Sequence, residues 1–272
     1  MTGFELGPAL LFCPADRPDR FEKASERADA VILDLEDAVA PTGKPGAREA
    51  IAQHPLDPNR TIVRVNPAST AELAADLSAL ADTDYRWLML PKAESLADVA
   101  MLGDRYRVIA LCETAAGVLA APEIARHDSV EALMWGAEDL VASLGGTSSR
   151  RTDGSYRDVA AHARSRVLLA AGAVGKAAID TVHLDIADLD GLLDEATDAA
   201  ASGFSATACI HPGQVGTIRA GYRPGNDALE AALALLEAAE NEAGVFIFRG
   251  QMVDEPALRH ARKTVGLARK NR

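Results

Sequence analysis

The chain has 272 residues, 48% of them hydrophobic, enough for one large core and about the size of a single barrel domain. Its 28 basic and 40 acidic residues give a formal net charge of −12, which excludes nucleic acid or an anionic membrane as a bulk partner but leaves room for a local basic pocket. The N-terminus, Met1 to Gly7, lacks the basic-then-apolar pattern of a secretion signal and no early stretch is long enough to span a bilayer, so a cytoplasmic protein is expected.

Eight short apolar runs punctuate the chain, at 9–14, 31–37, 62–66, 87–92, 108–114, 132–139, 182–185 and 208–211. They are too short for independent helices and lack the polar alternation of a half-solvated sheet, so they read as strands buried on both faces. Helix-length amphipathic stretches separate most of them. Pro18 marks a first helical turn after run one. Ser69 and Glu72 form a capping-box pattern ahead of the Leu73, Leu77, Leu80 stripe. Ser95 with Asp98 is a weaker box, and Gly103 is the matching stop. Pro122 is expected to begin a second short helix after one opening near Thr114. The longest gap holds the Gly-rich segment 145–151 and a long helix over 156–174. After His211 the pattern becomes a helix-rich tail, with helices at 226–241 and 257–269 and an apolar-to-polar insert ending at Asp254. The fold expected is an α/β (βα)8 TIM barrel over 1–211, then a C-terminal helical extension over 212–272 that covers the barrel mouth or reaches a neighbouring subunit.

Chemistry in such a barrel sits at the carboxyl ends of the strands, where Glu36, Arg64, Lys92, Glu113, Asp139 and His211 fall. Glu113 ends one run and Glu138-Asp139 ends the next. Neighbouring strands lie about 4.8 Å apart, so the two acids can converge on one hard cation, Mg²⁺ or Mn²⁺. The plainer alternative is helix capping by Asp139 and a surface Glu113. Arg64 interrupts a β-branched run and points either into the barrel or into the helix layer. It forms a structural ion pair with Asp34, Glu36 or Asp37, or clamps a substrate carboxylate, and the two roles are compatible.

Lys92 either forms a Schiff base or neutralises nearby acids, with Glu94 the immediate candidate. His211 is a base, a ligand or, preferred here, part of a turn. The 145–151 segment is a plain loop or a backbone cradle for an anion. Lys44 with Arg48, and Arg17 with Arg20, are solvated helix faces or phosphate contacts. Cys13, Cys112 and Cys209 lie in predicted buried strands and read as small core residues in a reducing compartment; a catalytic Cys112 is disfavoured because apolar neighbours raise a thiol's pKa.

Several motifs occur together and in order: Leu11 to Pro18, Ile32 to Val39, Arg64 to Asn66, Leu90 to Glu94, Cys112 to Gly117, Trp135 to Leu140, Ile179-Asp180, Cys209 to Gln214 and Gly250 to Pro256. By these the chain resembles the citrate lyase beta-subunit-like proteins, relatives of malyl-CoA and citramalyl-CoA lyases, over roughly residues 8–260. The resemblance implies a Mg²⁺-dependent (βα)8 lyase, commonly trimeric. It makes or breaks a carbon–carbon bond between a 2-oxo acid (oxaloacetate, pyruvate or glyoxylate) and an acyl-CoA.

By the same resemblance Glu113 and Asp139 are the metal ligands, and Arg64 binds the oxo acid with the backbone of Ala137 and Glu138 lining its pocket. Glu36, Asp37 and Lys92 support the site, Asp254 is the general acid/base offered to a neighbour's site, and Arg17 and Lys44 are candidate contacts for CoA phosphates. Three other readings remain: a malyl-CoA-type thioesterase, a citrate lyase subunit acting on a carrier-protein thioester, and a metal aldolase that does not use CoA.

Overall fold

Strands buried on both faces need a filled interior and an outer layer, and alternate residues of each run supply one or the other. In the computed structural model, which describes residues 4–240, 242 and 244–270, eight strands close into a barrel. They are β1 (Ala9–Pro14), β2 (Ala30–Asp34), β3 (Thr61–Arg64), β4 (Trp87–Leu90), β5 (Arg107–Cys112), β6 (Val130–Trp135), β7 (Ala177–Asp180) and β8 (Ala206–Cys209). All pair in parallel and in chain order, and β8 returns to β1 with Ala208 opposite Leu10. Leu10, Ile32, Ile62, Met89, Ile109 and Met134 fill the barrel interior. Their neighbours Leu11, Val31, Val63, Leu88, Val108 and Leu133 face outward and pack with the helices.

The helices are α1 (Phe21–Arg27), α2 (Lys44–Gln53), α3 (Glu72–Leu80), α4 (Leu96–Ala100), α5 (Ala115–Ile124), α6 (Ala137–Ser143), α7 (Asp158–Ala173), α8 (Leu189–Ser202) and α9 (Val215–Tyr222). Ser95 caps α4 by accepting from the Asp98 amide, and Gly103 follows it at φ +75°, in the left-handed region that glycine enters without strain.

Four expectations change. The seventh strand is 177–180, not 182–185: α7 ends at Ala173 as expected, Gly175 at φ +72° turns the chain straight into the strand, and Val182 to Asp185 form the loop beyond β7. The Ser69–Glu72 box does not form, because α3 starts at Glu72 and the Glu72 carboxylate is taken by Arg48 of α2. Pro122 lies inside a continuous α5. Its ring removes the usual amide donor to Val118 O, and Arg166 of α7 donates there instead through Nε (2.8 Å), with Nη2 on Leu119 O. Finally, α9 packs on α8 and β1 as the eighth helix of the ring, so the extension begins after Tyr222 rather than at 212. A Cβ on Gly221 would stand 2.7 Å from the Ala196 Cβ, which shows how closely α9 and α8 approach.

The extension holds α10 (Asn226–Ala239), a hairpin of β9 (Phe246–Phe248) and β10 (Gln251–Val253), and α11 (Glu255–Lys270). Arg249 and Gly250 turn the hairpin, both at positive φ, as a two-residue turn between twisted strands requires. The α10 and α11 helices meet around Ala232, Ala261 and Val265. The predicted end of the first tail helix at Asn241, like residues 1–3, 243 and 271–272, lies outside the described residues. Among the described residues no helix is long and apolar enough to cross a membrane.

Candidate active site

The loops beyond β1 to β3 and β5 to β8 surround a cavity of about 420 Å³, lined by Asp37, Arg64, Glu113, Glu138, Asp139 and Arg150 among others. Strand parity settles the direction that the sequence left open for Arg64. It follows Ile62 by two residues and therefore shares the interior face, where its guanidinium lies 4.8 Å from the centre of the Phe12 ring. Asp34, two residues beyond Ile32, takes the Arg64 fork with Nε–Oδ1 at 2.7 Å and Nη2–Oδ2 at 2.6 Å. Asp34 is itself fixed by the amides of Glu36 (2.9 Å) and Ala38 (3.2 Å).

Glu36 Oε2 stands 2.9 Å from Arg64 Nη1, whereas Asp37, mostly exposed, makes no ion pair with Arg64. Hydrogen bonding to Asp34 and the charges of Asp34, Glu36 and Glu113 outweigh burial and raise the Arg64 pKa, so the group is a permanent cation. With one side of its fork on Asp34, Arg64 retains further N–H groups on Nη1 and Nη2 for a second anion.

Glu113 also keeps interior parity, two residues past Leu111, and is 3% exposed. Burial first, then the charges of Asp139 and Glu36, push its carboxyl up to about 8. Its position depends on Gly136 at the end of the next strand: a Cβ there would lie 2.8 Å from Glu113 Oε2. Asp139 is in the first turn of α6, but Gly136 is the N-cap and no side chain caps this helix, so the capping reading of Asp139 does not hold. Ala137 and Glu138 line the cavity, and Glu138 Oε1 accepts a short hydrogen bond from Ser149.

Lys92 sits between these acids. Its ammonium hydrogen-bonds to Glu36 Oε1 and lies 3.4 Å from Asp139, 3.7 Å from Asp37 and 3.8 Å from Glu113. Glu94, the partner suggested by proximity in sequence, accepts from Thr114 instead. Hydrogen bonding to Glu36 and the surrounding negative charge raise the Lys92 pKa despite burial, which argues against a Schiff-base amine. The three cysteines are buried, and burial pushes the Cys112 thiol up to about 12, as expected of core residues.

Other candidates lie elsewhere. Lys44 is a correction: it is buried, with its ammonium on Leu35 O (2.7 Å), Glu36 O (3.1 Å) and Asn66 Oδ1 (2.6 Å), so all three N–H groups are engaged inside the protein. Arg17 is exposed, pairs with Asp19 at 3.1 Å and does not line the cavity. Asp254 accepts from the Ala257 amide (3.2 Å) at the start of α11. Among the described residues, none of the extension lines the cavity. His211 has the structural role preferred from sequence: Nδ1 accepts from the Gly213 amide, and Gln214 reciprocates.

Sequence reasoning missed Arg150. The 145–151 segment was considered for its backbone, yet it contributes a guanidinium, stacked 4.0 Å from the Tyr156 ring and hydrogen-bonded to the Tyr156 hydroxyl at 2.7 Å. It also missed a second cavity, of about 580 Å³, that shares Phe12, Pro14 and Ile210 with the first. Arg20, at the start of α1, and Lys23 and Arg27 on it line this cavity, three and four residues apart, and none of their side chains makes a hydrogen bond or ion pair among the described residues.

The acids fit a divalent ion by the chemistry of the donor set. Two carboxylates already approach one shared cationic group, and burial with its neighbours' charges raises the pKa of one of them, Glu113, so its charged form carries a penalty that a 2+ ion would offset. Among the described residues no group of three or more metal-ligating side chains converges, so water or substrate would complete the coordination.

A closed barrel carrying paired acids and an anchored guanidinium at its carboxyl mouth defines an enzyme of the TIM-barrel class. Residues 9–212 match the HpcH/HpaI aldolase/citrate lyase family, and the chain belongs to it. It is a carbon–carbon lyase by that membership. It is 58% identical over 255 residues to the citrate lyase subunit beta-like protein of Mycobacterium tuberculosis, covering 94% of this chain and 93% of that protein. It is 31% identical over 295 residues to the mitochondrial citramalyl-CoA lyase of Homo sapiens, covering 96% and 85%. The crystal structure of M. tuberculosis CitE in complex with magnesium, acetoacetate and coenzyme A superposes with a TM-score of 0.93 at 57% identity, covering 97% of this chain and 98% of that one.

Proposed function

We propose that the protein is a Mg²⁺-dependent lyase that cleaves or forms a 3-hydroxyacyl-CoA, such as citramalyl-CoA or malyl-CoA, with a 2-oxo acid and an acyl-CoA as the other partners. One observation carries this reading: Glu113, Asp139 and the Asp34-anchored Arg64 line the same cavity. Glu113 and Asp139 hold the ion, which when bound supplies Lewis-acid stabilisation of oxygen charge as the oxo acid forms.

Arg64 offers its remaining N–H groups to the oxo-acid carboxylate, and Asp34 keeps the guanidinium from following the substrate. In cleavage the hydroxyl proton leaves to a base and the carbon–carbon bond breaks. Its electron pair passes to the carbon beside the thioester, and a proton delivered to that carbon completes the acyl-CoA. Asp254 is the proton donor in this proposal. Its place on the extension, away from its own cavity, favours delivery from a second copy of the chain and hence a homo-oligomer, a trimer by resemblance. The unpaired side-chain cations Arg20, Lys23 and Arg27, beside the cavity, suit the phosphates of the CoA arm.

The test is product analysis with citramalyl-CoA and malyl-CoA in Mg²⁺ and in EDTA. Release of pyruvate or glyoxylate with an acyl-CoA, lost in EDTA, is expected. A hydroxy acid with free CoA would assign a thioesterase instead, and turnover only of a carrier-protein thioester would assign a citrate lyase subunit.

A further inference from the structure

Lys92 makes one close contact and three looser ones. Its ammonium is hydrogen-bonded to Glu36, while Asp139, Asp37 and Glu113 lie 3.4, 3.7 and 3.8 Å away, beyond hydrogen-bond length. The backbone aims it there at some cost: Lys92 adopts φ +49°, uncommon for a residue with a side chain, and its amide donates to Glu113 Oε1 at 3.2 Å. Of the looser partners, Glu113 and Asp139 are the two acids that the proposal above gives to Mg²⁺. An ammonium and a divalent ion drawn to the same oxygens compete for them. Glu36 is the contact that Lys92 retains, because Glu36 is buried, lies beside Arg64 and is not one of the two acids given to the metal. The side chain is about a third exposed, so its flexible stem leaves the ammonium room to pivot about the Glu36 carboxylate away from Glu113 and Asp139.

We infer that Lys92 is the internal counter-ion of the metal site: it competes with the divalent ion for Glu113 and Asp139, yields them when the ion binds, and remains anchored on Glu36. It is a positioning residue, and the inference rests on the Mg²⁺ reading. Its consequence is that the lysine lowers the affinity for Mg²⁺ while keeping four neighbouring acids from repelling one another without it.

The experiment is calorimetric titration of Mg²⁺, without substrate, into full-length wild type, Lys92→Met and Lys92→Arg, with thermal melts of each in EDTA and in saturating Mg²⁺. Methionine keeps the stem and removes the charge. The Met variant is expected to bind Mg²⁺ about tenfold more tightly than wild type, to melt lower than wild type in EDTA and to recover most of that difference in Mg²⁺. The Arg variant retains a cation and stays within a few-fold of wild type. Equal or weaker Mg²⁺ binding by the Met variant overturns the inference while leaving the Mg²⁺ reading intact. Wild type that binds no Mg²⁺ overturns both.

A measurement on wild type needs no folded variant of altered charge. The Lys92 side-chain ammonium NMR signal, identified by its loss in Lys92→Arg or by chemical-shift contacts to Glu36, is expected to move as Mg²⁺ is added, and an unmoved signal overturns the inference. If Mg²⁺ binds as described but no acyl-CoA is cleaved, the lysine's role stands and the lyase reading fails.

Discussion

Replacing Gly136 with alanine tests whether the position of Glu113 governs metal binding. Gly136 has φ −125° and ψ 128°, ordinary extended backbone for any residue, so the substitution carries no conformational strain of its own. Its effect comes from contact. The added Cβ would stand 2.8 Å from Glu113 Oε2 and 2.9 Å from Glu113 Cβ, both well inside van der Waals distance. Glu113 is 3% exposed and its Cβ cannot rotate away, so the carboxylate must shift with its stem. Overpacking of this kind costs about 1–3 kcal/mol.

The expected outcome of Gly136→Ala is a melting temperature several degrees lower in EDTA and about tenfold weaker Mg²⁺ binding by calorimetry. Gly172→Ala in α7 is the control, since its Cβ would meet nothing within 4 Å; it should leave Mg²⁺ binding unchanged and stability equal or slightly raised. A Gly136→Ala protein with wild-type melting and wild-type Mg²⁺ affinity would refute the claim that Glu113 is confined at that position.

Three further outcomes are expected. Arg64→Lys should weaken binding of pyruvate or oxaloacetate in the presence of Mg²⁺ by at least about tenfold, because a point charge replaces neither the fork on Asp34 nor the groups beyond it; an unchanged isotherm counts against the clamp. Glu113 is raised from its ordinary 4.5 to about 8 by burial and the charges of Asp139 and Glu36, so folding favours its proton. Its contribution to stability is present at acid pH and lost as pH rises from about 4.5 through about 8. Mg²⁺ needs the carboxylate, so affinity should climb over the same window, by up to about tenfold per pH unit, and level off above it; calorimetry at pH 6.5, 7.5 and 8.5 reads this, and a flat profile contradicts it. Asp254→Asn and Asp139→Asn should each lose most turnover, yet regain a fraction when the two variants are dissociated and reassembled together. No recovery in verified mixed oligomers would mean that Asp254 does not serve a second copy's site.

Seven of the eight strands were legible in the chain because burial on both faces leaves a local signature, a short unbroken apolar run. The seventh was misplaced because Ala177-Ala178-Ile179-Asp180 is short and Ala-rich, and Val182 to Leu184 looks more strand-like while lining the loop above the barrel. Local pattern also misjudged Pro122, which sits within one helix while Arg166, 44 positions on, donates to the carbonyl of Val118 that the proline leaves without its usual amide. The residues nominated for chemistry at the strand ends were visible as polar groups terminating apolar runs. Which of them touch was not.

Sequence alone determined the barrel, the carboxyl-end placement of Glu113, Asp139 and Arg64, and the burial of the cysteines, since each follows from runs a few residues long. Only the tertiary structure decided the partners. Side-by-side pairing of β2, β3 and β4 turned Lys92 from Glu94 to Glu36 and set Lys44 in the interior against Leu35 and Asn66, and the barrel's closure brought Arg150 to the same cavity as Arg64. Charge attraction acts through space between groups far apart in the chain, so no reading of neighbours along the sequence contains it.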